Sequence, residues 1–227
     1  MTRLTTLVAS NLPSESAAVQ QKSYVTFTCL PPDAGIDDGS TEEPTLTLLE
    51  RRHLISGSLT TGFRTWEAAL HLGSYLRSPA GRELIEGRSV LELGAGTGFL
   101  AILASKCISA RHVTTTDGDE GVVEALRENM QLNGLDDEEK VRMEVLRWGG
   151  DLKGTCVEQD LEKWPYDVVI GADIVRPRRG IRVQELTRVD VRQGRHHRAG
   201  RYITISLRAT TKPGRYHLRC SPQPRYL

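Results

Sequence analysis

The sequence predicts an α/β domain built on a parallel, doubly wound sheet, and three observations carry that prediction. From Ser89 onward, short apolar runs rich in β-branched residues alternate with segments of helical periodicity. The first run, Ser89-Val-Leu-Glu-Leu93, opens directly into Gly94-Ala95-Gly96-Thr97-Gly98, and glycines at a strand-to-helix turn let the chain bend sharply. The second, His112-Val-Thr-Thr-Thr-Asp117, ends on a carboxylate.

The elements follow in order. Residues 1–45 read as an N-terminal extension with one strand-like run, Ser23 to Leu30, and a turn-rich acidic loop after it. Thr45 to Ile55 is a second candidate strand. Thr65 to Arg77 carries Ala68, Ala69, Leu72 and Leu76 at helical spacing, with Thr65 as its expected N-cap. Beyond the glycines, Phe99 to Cys107 is an apolar helix. Glu120 to Leu132 is an amphipathic helix, capped by Asp119 and closed by Asn133-Gly134. Val141 to Trp148 is the third strand of the series and Tyr166 to Asp173 the fourth. Strands joined through helices give a parallel sheet. The expected organisation is an extension (1–45), a central α/β domain (46–175) and an atypical Arg-rich segment (176–227).

Composition narrows the class. With 227 residues, 38% hydrophobic and 26% charged, the chain can bury one sizeable core with a modest appendage. No stretch approaches the roughly 20 apolar residues that span a bilayer, and the N-terminus lacks the continuous apolar run of a secretory signal. Cys29, Cys107, Cys156 and Cys220 form no C-x-x-C pair. That pattern reads as free thiols in a reducing, cytoplasmic setting rather than a disulfide frame. His217-x-x-Cys220 supplies two ligands, too few for a metal site. The net charge of +1 conceals a division. Residues 175–227 hold thirteen arginines and one lysine against Glu185 and Asp190, a net of +12; the 16 basic and 27 acidic residues before them net −11.

The segment Glu92-Leu93-Gly94-Ala95-Gly96-Thr97-Gly98 has the chemistry of a nucleotide-like cofactor loop. Glycines admit a ligand against the backbone, and the following helix N-terminus offers free N–H groups. The glycines alone do not choose between a dinucleotide and S-adenosylmethionine. Three features favour S-adenosylmethionine. Glu92 precedes the glycines, where a carboxylate can orient the loop and complement an ammonium group. Asp117 ends the second strand 21 residues after Gly96, where a carboxylate can take both ribose hydroxyls. No second glycine-rich turn or basic pocket is available for another nucleotide. The plainer roles are a loop carboxylate for Glu92 and a helix cap for Asp117.

The string Thr61-Gly-Phe-Arg-Thr-Trp-Glu-Ala-Ala-Leu-His-Leu-Gly-Ser-Tyr-Leu76, with VLELGAGTGFLAILAS, TTDGD, LRWG and VVIGADI after it, resembles the family-16 seven-β-strand methyltransferases. Within them it is most similar to the fungal protein-lysine methyltransferases that act on translation elongation factor 2. The similarity covers about residues 45–174. It implies a Rossmann-like methyltransferase fold, S-adenosyl-L-methionine as cofactor and a lysine on elongation factor 2 as substrate. By position, it implies that Trp66 lies beside the methionine part of the cofactor and that Gly94, Ala95, Gly96 and Gly98 form the loop under it. Asp117 takes the ribose, Trp148 packs on the adenine, Ala172 lies close to the cofactor, and Asp173 stands at the methyl-transfer face as the catalytic residue. For the two tryptophans the alternative is core packing.

Two departures stand out. Relatives continue the fourth strand as Asp-x-x-Tyr, whereas this chain reads Asp173-Ile174-Val175-Arg176. After Val175 charge balance, periodicity and motif match all fail together, so the fold is expected to be incomplete or atypical beyond the fourth strand. An altered reading frame or an unspliced boundary would produce such a tail. Only Arg201 to Arg208 alternates as a strand would. The cationic tail keeps a second reading open, a catalytically impaired module that binds RNA or ribosomes through phosphate contacts. A third, an NAD-dependent oxidoreductase, is disfavoured by the loop pattern and the lack of a substrate domain.

Overall fold

The computed structural model describes residues 22–29, 44–51, 61–147, 153–163, 166–173 and 201–205. Five parallel strands form one sheet in the order β5-β4-β3-β6-β7. These are β3 (Ser89–Leu93), β4 (His112–Asp117), β5 (Val141–Val145), β6 (Val168–Ala172) and β7 (Arg201–Ile205). Order reverses between β3 and β6, and the crevice outside the carboxyl ends of the strands at such a switch point is where open α/β sheets bind ligands. All five residues of β3 are buried, as a central parallel strand covered on both faces requires.

β7 comes from the Arg-rich tail and pairs with β6 from Val168↔Arg201 to Ala172↔Ile205. The segment therefore adds a strand to the sheet, over part of the run whose alternation suggested one. The third and fourth strands of the series are shorter than their apolar runs, ending at Val145 and Ala172.

Five helices stand among the described residues: α1 (Glu67–Arg77), α2 (Pro79–Ile85), α3 (Phe99–Ile102), α4 (Glu120–Leu132) and α5 (Cys156–Lys163). A π-helical turn, Leu103–Cys107, continues α3. α1 starts one residue later than expected, with Trp66 at its N-cap and no side chain capping it. Thr65 does not cap because its hydroxyl is engaged elsewhere, with Thr97 at 2.7 Å. Asp119 caps α4 as expected, accepting from Val122 N at 3.0 Å. Sequence periodicity missed α2 and α5. α2 is only two turns long, started by Ser78 accepting from Gly81 N and by a proline at its first position.

The residues on either side of the expected boundary at 45 belong together. β1 (Ser23–Thr28) pairs antiparallel with β2 (Thr45–Glu50) over its whole length. Leu46 and Leu48 of β2 are fully buried and join the core, and Phe27 meets Phe99 of α3 edge-on, centroids 5.1 Å apart. The free edge of β2 is covered by α4: Thr47 N donates to Asn133 Oδ1 (3.0 Å) and Leu49 N to Asn129 Oδ1 (2.7 Å). Two side-chain amides thus satisfy backbone donors that an unpaired edge would expose.

Candidate active site

Three glycines bend the chain from β3 into α3. Gly94, Gly96 and Gly98 hold φ of +65°, +55° and +82°, the left-handed region that L side chains avoid. Gly98 is the N-cap of α3, and a Cβ there would stand 2.2 Å from Leu126 Cδ1 and 2.9 Å from Met130 Cε. A Cβ on Gly96 would stand 3.2 Å from Gly62 O, so the segment before α1 lies directly over the loop. Ala95 N donates to Thr116 O at 2.9 Å, tying the loop to β4.

Asp117 occupies the tip of β4, half-buried. Its Oδ2 accepts from Gly96 N at 3.0 Å and its Oδ1 from Asp119 N at 3.2 Å. The carboxylate sets the loop in place rather than capping α4, which Asp119 does. A carboxylate offers about four lone-pair positions, and these bonds use two of them.

Glu92 is sealed beneath the loop. Only 2% of it is exposed; Thr115 Oγ1 donates to Oε2 at 2.8 Å across the β3–β4 pair, and the Ala101 backbone adds a further bond. Burial raises its pKa from 4.5 to about 8 against those two bonds, with Asp117 pushing the same way. A protonated carboxyl at neutral pH is a poor counter-charge for an ammonium group. Its bonds link β3 to β4 and to α3, the helix on the far side of the glycine loop.

Trp66 is half-buried at the start of α1, where its indole Nε1 donates to Thr61 O at 3.0 Å and Arg64 lies over its ring at 5.0 Å. It is fixed to the loop by its neighbour: Thr65 Oγ1 meets Thr97 Oγ1 at 2.7 Å, in the middle of the glycine loop. Ala172 ends β6 half-buried, and the exposed Asp173 follows it with φ +54°. Aspartate tolerates that conformation better than most residues, and it turns the chain at the carboxyl edge of the sheet. Trp148 and Arg176 lie outside the described residues.

The structure brings together Trp66, Gly94, Ala95, Gly96, Gly98 and Asp117 at one end of the sheet, with Ala172 and Asp173 at the same edge and Glu92 below. Sequence reasoning missed the scaffold around them. Glu50 is 2% exposed, and its Oε1 accepts from Thr65 N at 3.3 Å. Asn129 bonds Leu49 N through Oδ1 and Thr97 O through Nδ2 (3.0 Å). Glu50 had one visible signal: it falls in phase with Leu46 and Leu48, on the inward face of a strand where a charge needs a partner. Among the described residues no three His, Cys, Asp or Glu side chains gather as a metal site, and no helix is long and apolar enough to cross a membrane.

With that geometry in view, comparison with known proteins decides the family. Residues 42–186 match the lysine methyltransferase family. The chain belongs to that family. The match runs beyond residue 174, where the resemblance read from motifs stopped. Over 174 residues the chain is 48% identical to the protein-lysine N-methyltransferase EFM3 of Chaetomium thermophilum, covering 77% of this chain and 50% of that protein. It is 37% identical to EFM3 of Saccharomyces cerevisiae, over 59% of this chain and 41% of the relative. The human protein-lysine N-methyltransferase EEF2KMT is 30% identical, over 80% and 58%. The chain spans about half the length of the curated relatives it matches.

Proposed function

We propose that this lysine methyltransferase family member transfers a methyl group from S-adenosylmethionine to a protein lysine, with translation elongation factor 2 as the substrate. The observation that carries the reading is Asp117: a carboxylate at a strand tip, bonded to the glycine loop and half occupied. Its remaining lone pairs suit the two donors of a ribose diol, and the loop beside it admits a ligand against the backbone. The donor set fits the cofactor. The names of the relatives support lysine as the acceptor, and the name EEF2KMT, with the Thr61–Leu76 string, supports the elongation factor. A substrate in translation places the reaction in the cytoplasm.

When bound, S-adenosylmethionine supplies an electrophilic methyl group on a sulfonium. The residues of this chain bind, orient and desolvate. Asp117 and the Gly94–Gly98 loop hold the nucleoside, and Thr65–Thr97 holds Trp66 against that loop. Asp173, at the exposed carboxyl edge, orients the incoming amine. A free lysine has a pKa near 10.4, and burial beside an aromatic wall favours the neutral amine that attacks. The chemistry asks for orientation and desolvation rather than a strong base.

The test is labelling of purified elongation factor 2 with methyl-labelled cofactor, wild type and Asp117→Ala in parallel, alongside calorimetry with S-adenosylmethionine and NAD. Wild type is expected to bind S-adenosylmethionine and not NAD, and to label a lysine. Asp117→Ala is expected to bind at least about tenfold more weakly, the worth of one or two lost hydrogen bonds. Equal labelling by both proteins would remove Asp117 from the site.

A further inference from the structure

Away from the glycine loop, two thiols from distant parts of the chain are in contact. Cys29 follows β1 and is 6% exposed; Cys107 closes the π-helical turn after α3 and is half-buried. Their sulfurs are 3.6 Å apart, and both are free cysteines. A disulfide bond of about 2.05 Å needs them to close by roughly 1.6 Å.

A cationic side chain stands beside them. Nε and Nη1 of Arg77, in the last turn of α1, are buried and have no hydrogen-bond partner among the described residues. Guanidinium nitrogens held away from water favour an anion beside them; Arg77 and Lys106 both act electrostatically on the two thiols, and Arg77 also offers Cys29 a side-chain hydrogen bond. The hydrogen bond from Cys107 is the main cause that lowers Cys29 to about 7, with Arg77 and Lys106 adding to it against the effect of burial. Cys107 is pushed up by the same contact and stays a thiol. One sulfur is thus the nucleophile and the other carries the proton, the division of labour of a reactive dithiol.

We propose that Cys29 and Cys107 form a reversible disulfide on exposure to hydrogen peroxide, and that it fastens the β1–β2 hairpin to the helix that follows the glycine loop. The Cys29 thiolate attacks one peroxide oxygen and releases hydroxide, giving a sulfenic acid. The Cys107 sulfur then attacks the Cys29 sulfur; its proton and the sulfenic hydroxyl leave as water, and the S–S bond forms. Two electrons pass from the thiols to the peroxide. A dithiol reductant reverses the step.

The closed loop would contain Gly62, Thr65 and the glycine loop, so the cross-link restrains the segments that frame the candidate site. Peptide mapping of the full chain without reduction, before and after peroxide, reads the bond directly. The expected result is a Cys29–Cys107 cross-link that dithiothreitol removes, with a melting temperature about 5 °C or more higher in the oxidised protein. Cys29→Ser and Cys107→Ser lose both the cross-link and the shift, while Cys220→Ser keeps them. Arg77→Met slows cross-linking at pH 7 about tenfold, because less of Cys29 is thiolate. Separate oxidation of the two cysteines without a cross-link, or preferential bonding to Cys156 or Cys220, would overturn the proposal, and the wild-type map alone decides between these outcomes.

Discussion

Gly98 shows how tightly one atom is specified where the chain turns from β3 into α3. Its φ of +82° is left-handed, and the missing Cβ leaves just enough room for Leu126 and Met130 of α4. Gly98→Ala combines backbone strain with overpacking and is expected to cost about 2–4 kcal/mol. Gly87 is the control: its φ is +66°, but a Cβ there meets nothing within 4 Å, so Gly87→Ala costs the strain alone, about 1–2 kcal/mol. Urea denaturation of the two variants reads the difference. Equal losses would mean that the contact with α4 relaxes freely. At Gly96 the neighbour is the Gly62 carbonyl, which as backbone gives way less easily, so Gly96→Ala is expected to weaken cofactor binding as well as stability.

At the level of elements, the hairpin is joined to the site by side chains rather than by sequence proximity. Asn129, 1% exposed, links Leu49 of β2 to Thr97 of the glycine loop. Asn129→Ala would leave one half-buried N–H and one buried C=O unmade, at about 1–3 kcal/mol each. The expected result is a loss of about 2–4 kcal/mol in urea denaturation together with weaker cofactor binding; stability within error of wild type would show that water replaces the amide. This bridge also marks the limit of what the residues disclosed. The glycine loop, Asp117 at its strand tip and the Asp119 cap were legible because each is encoded within a few positions of local pattern. The pairing of β1 with β2, the Thr65–Thr97 bond and the two asparagine bridges were not. They join positions from about 20 to more than 80 residues apart, and a polar residue in a helix or loop carries no local mark of its distant partner. Thr65 was expected to cap α1 on propensity, and a tertiary hydrogen bond claimed its hydroxyl instead. β7 was visible as an alternating run, but its place beside β6 depended on the whole sheet.

Across the whole molecule, two buried carboxyls on different elements set opposing limits on stability. Glu92 has a folded pKa of about 8 against an ordinary 4.5. Its contribution is complete below 4.5 and falls away as pH rises to about 8, because the unfolded chain releases a proton that the native carboxyl keeps. The slope approaches one proton, about 1.4 kcal/mol per pH unit. Asp160 of α5 behaves in the opposite sense. Burial alone would raise it, but hydrogen bonds from Thr114 (2.7 Å), Arg142 and Tyr166 (3.0 Å) bring it below its ordinary 3.8. Its contribution is complete above 3.8 and is lost as pH falls through the lower folded value. Together the two are complete only between 3.8 and 4.5, on the acid side of neutrality. Chemical denaturation followed by circular dichroism from pH 4 to 9 should therefore show wild type weakening as pH rises, whereas Glu92→Gln, neutral at every pH, should be nearly flat between 5 and 8. Parallel profiles for the two proteins would mean that Glu92 is ionised in the folded state.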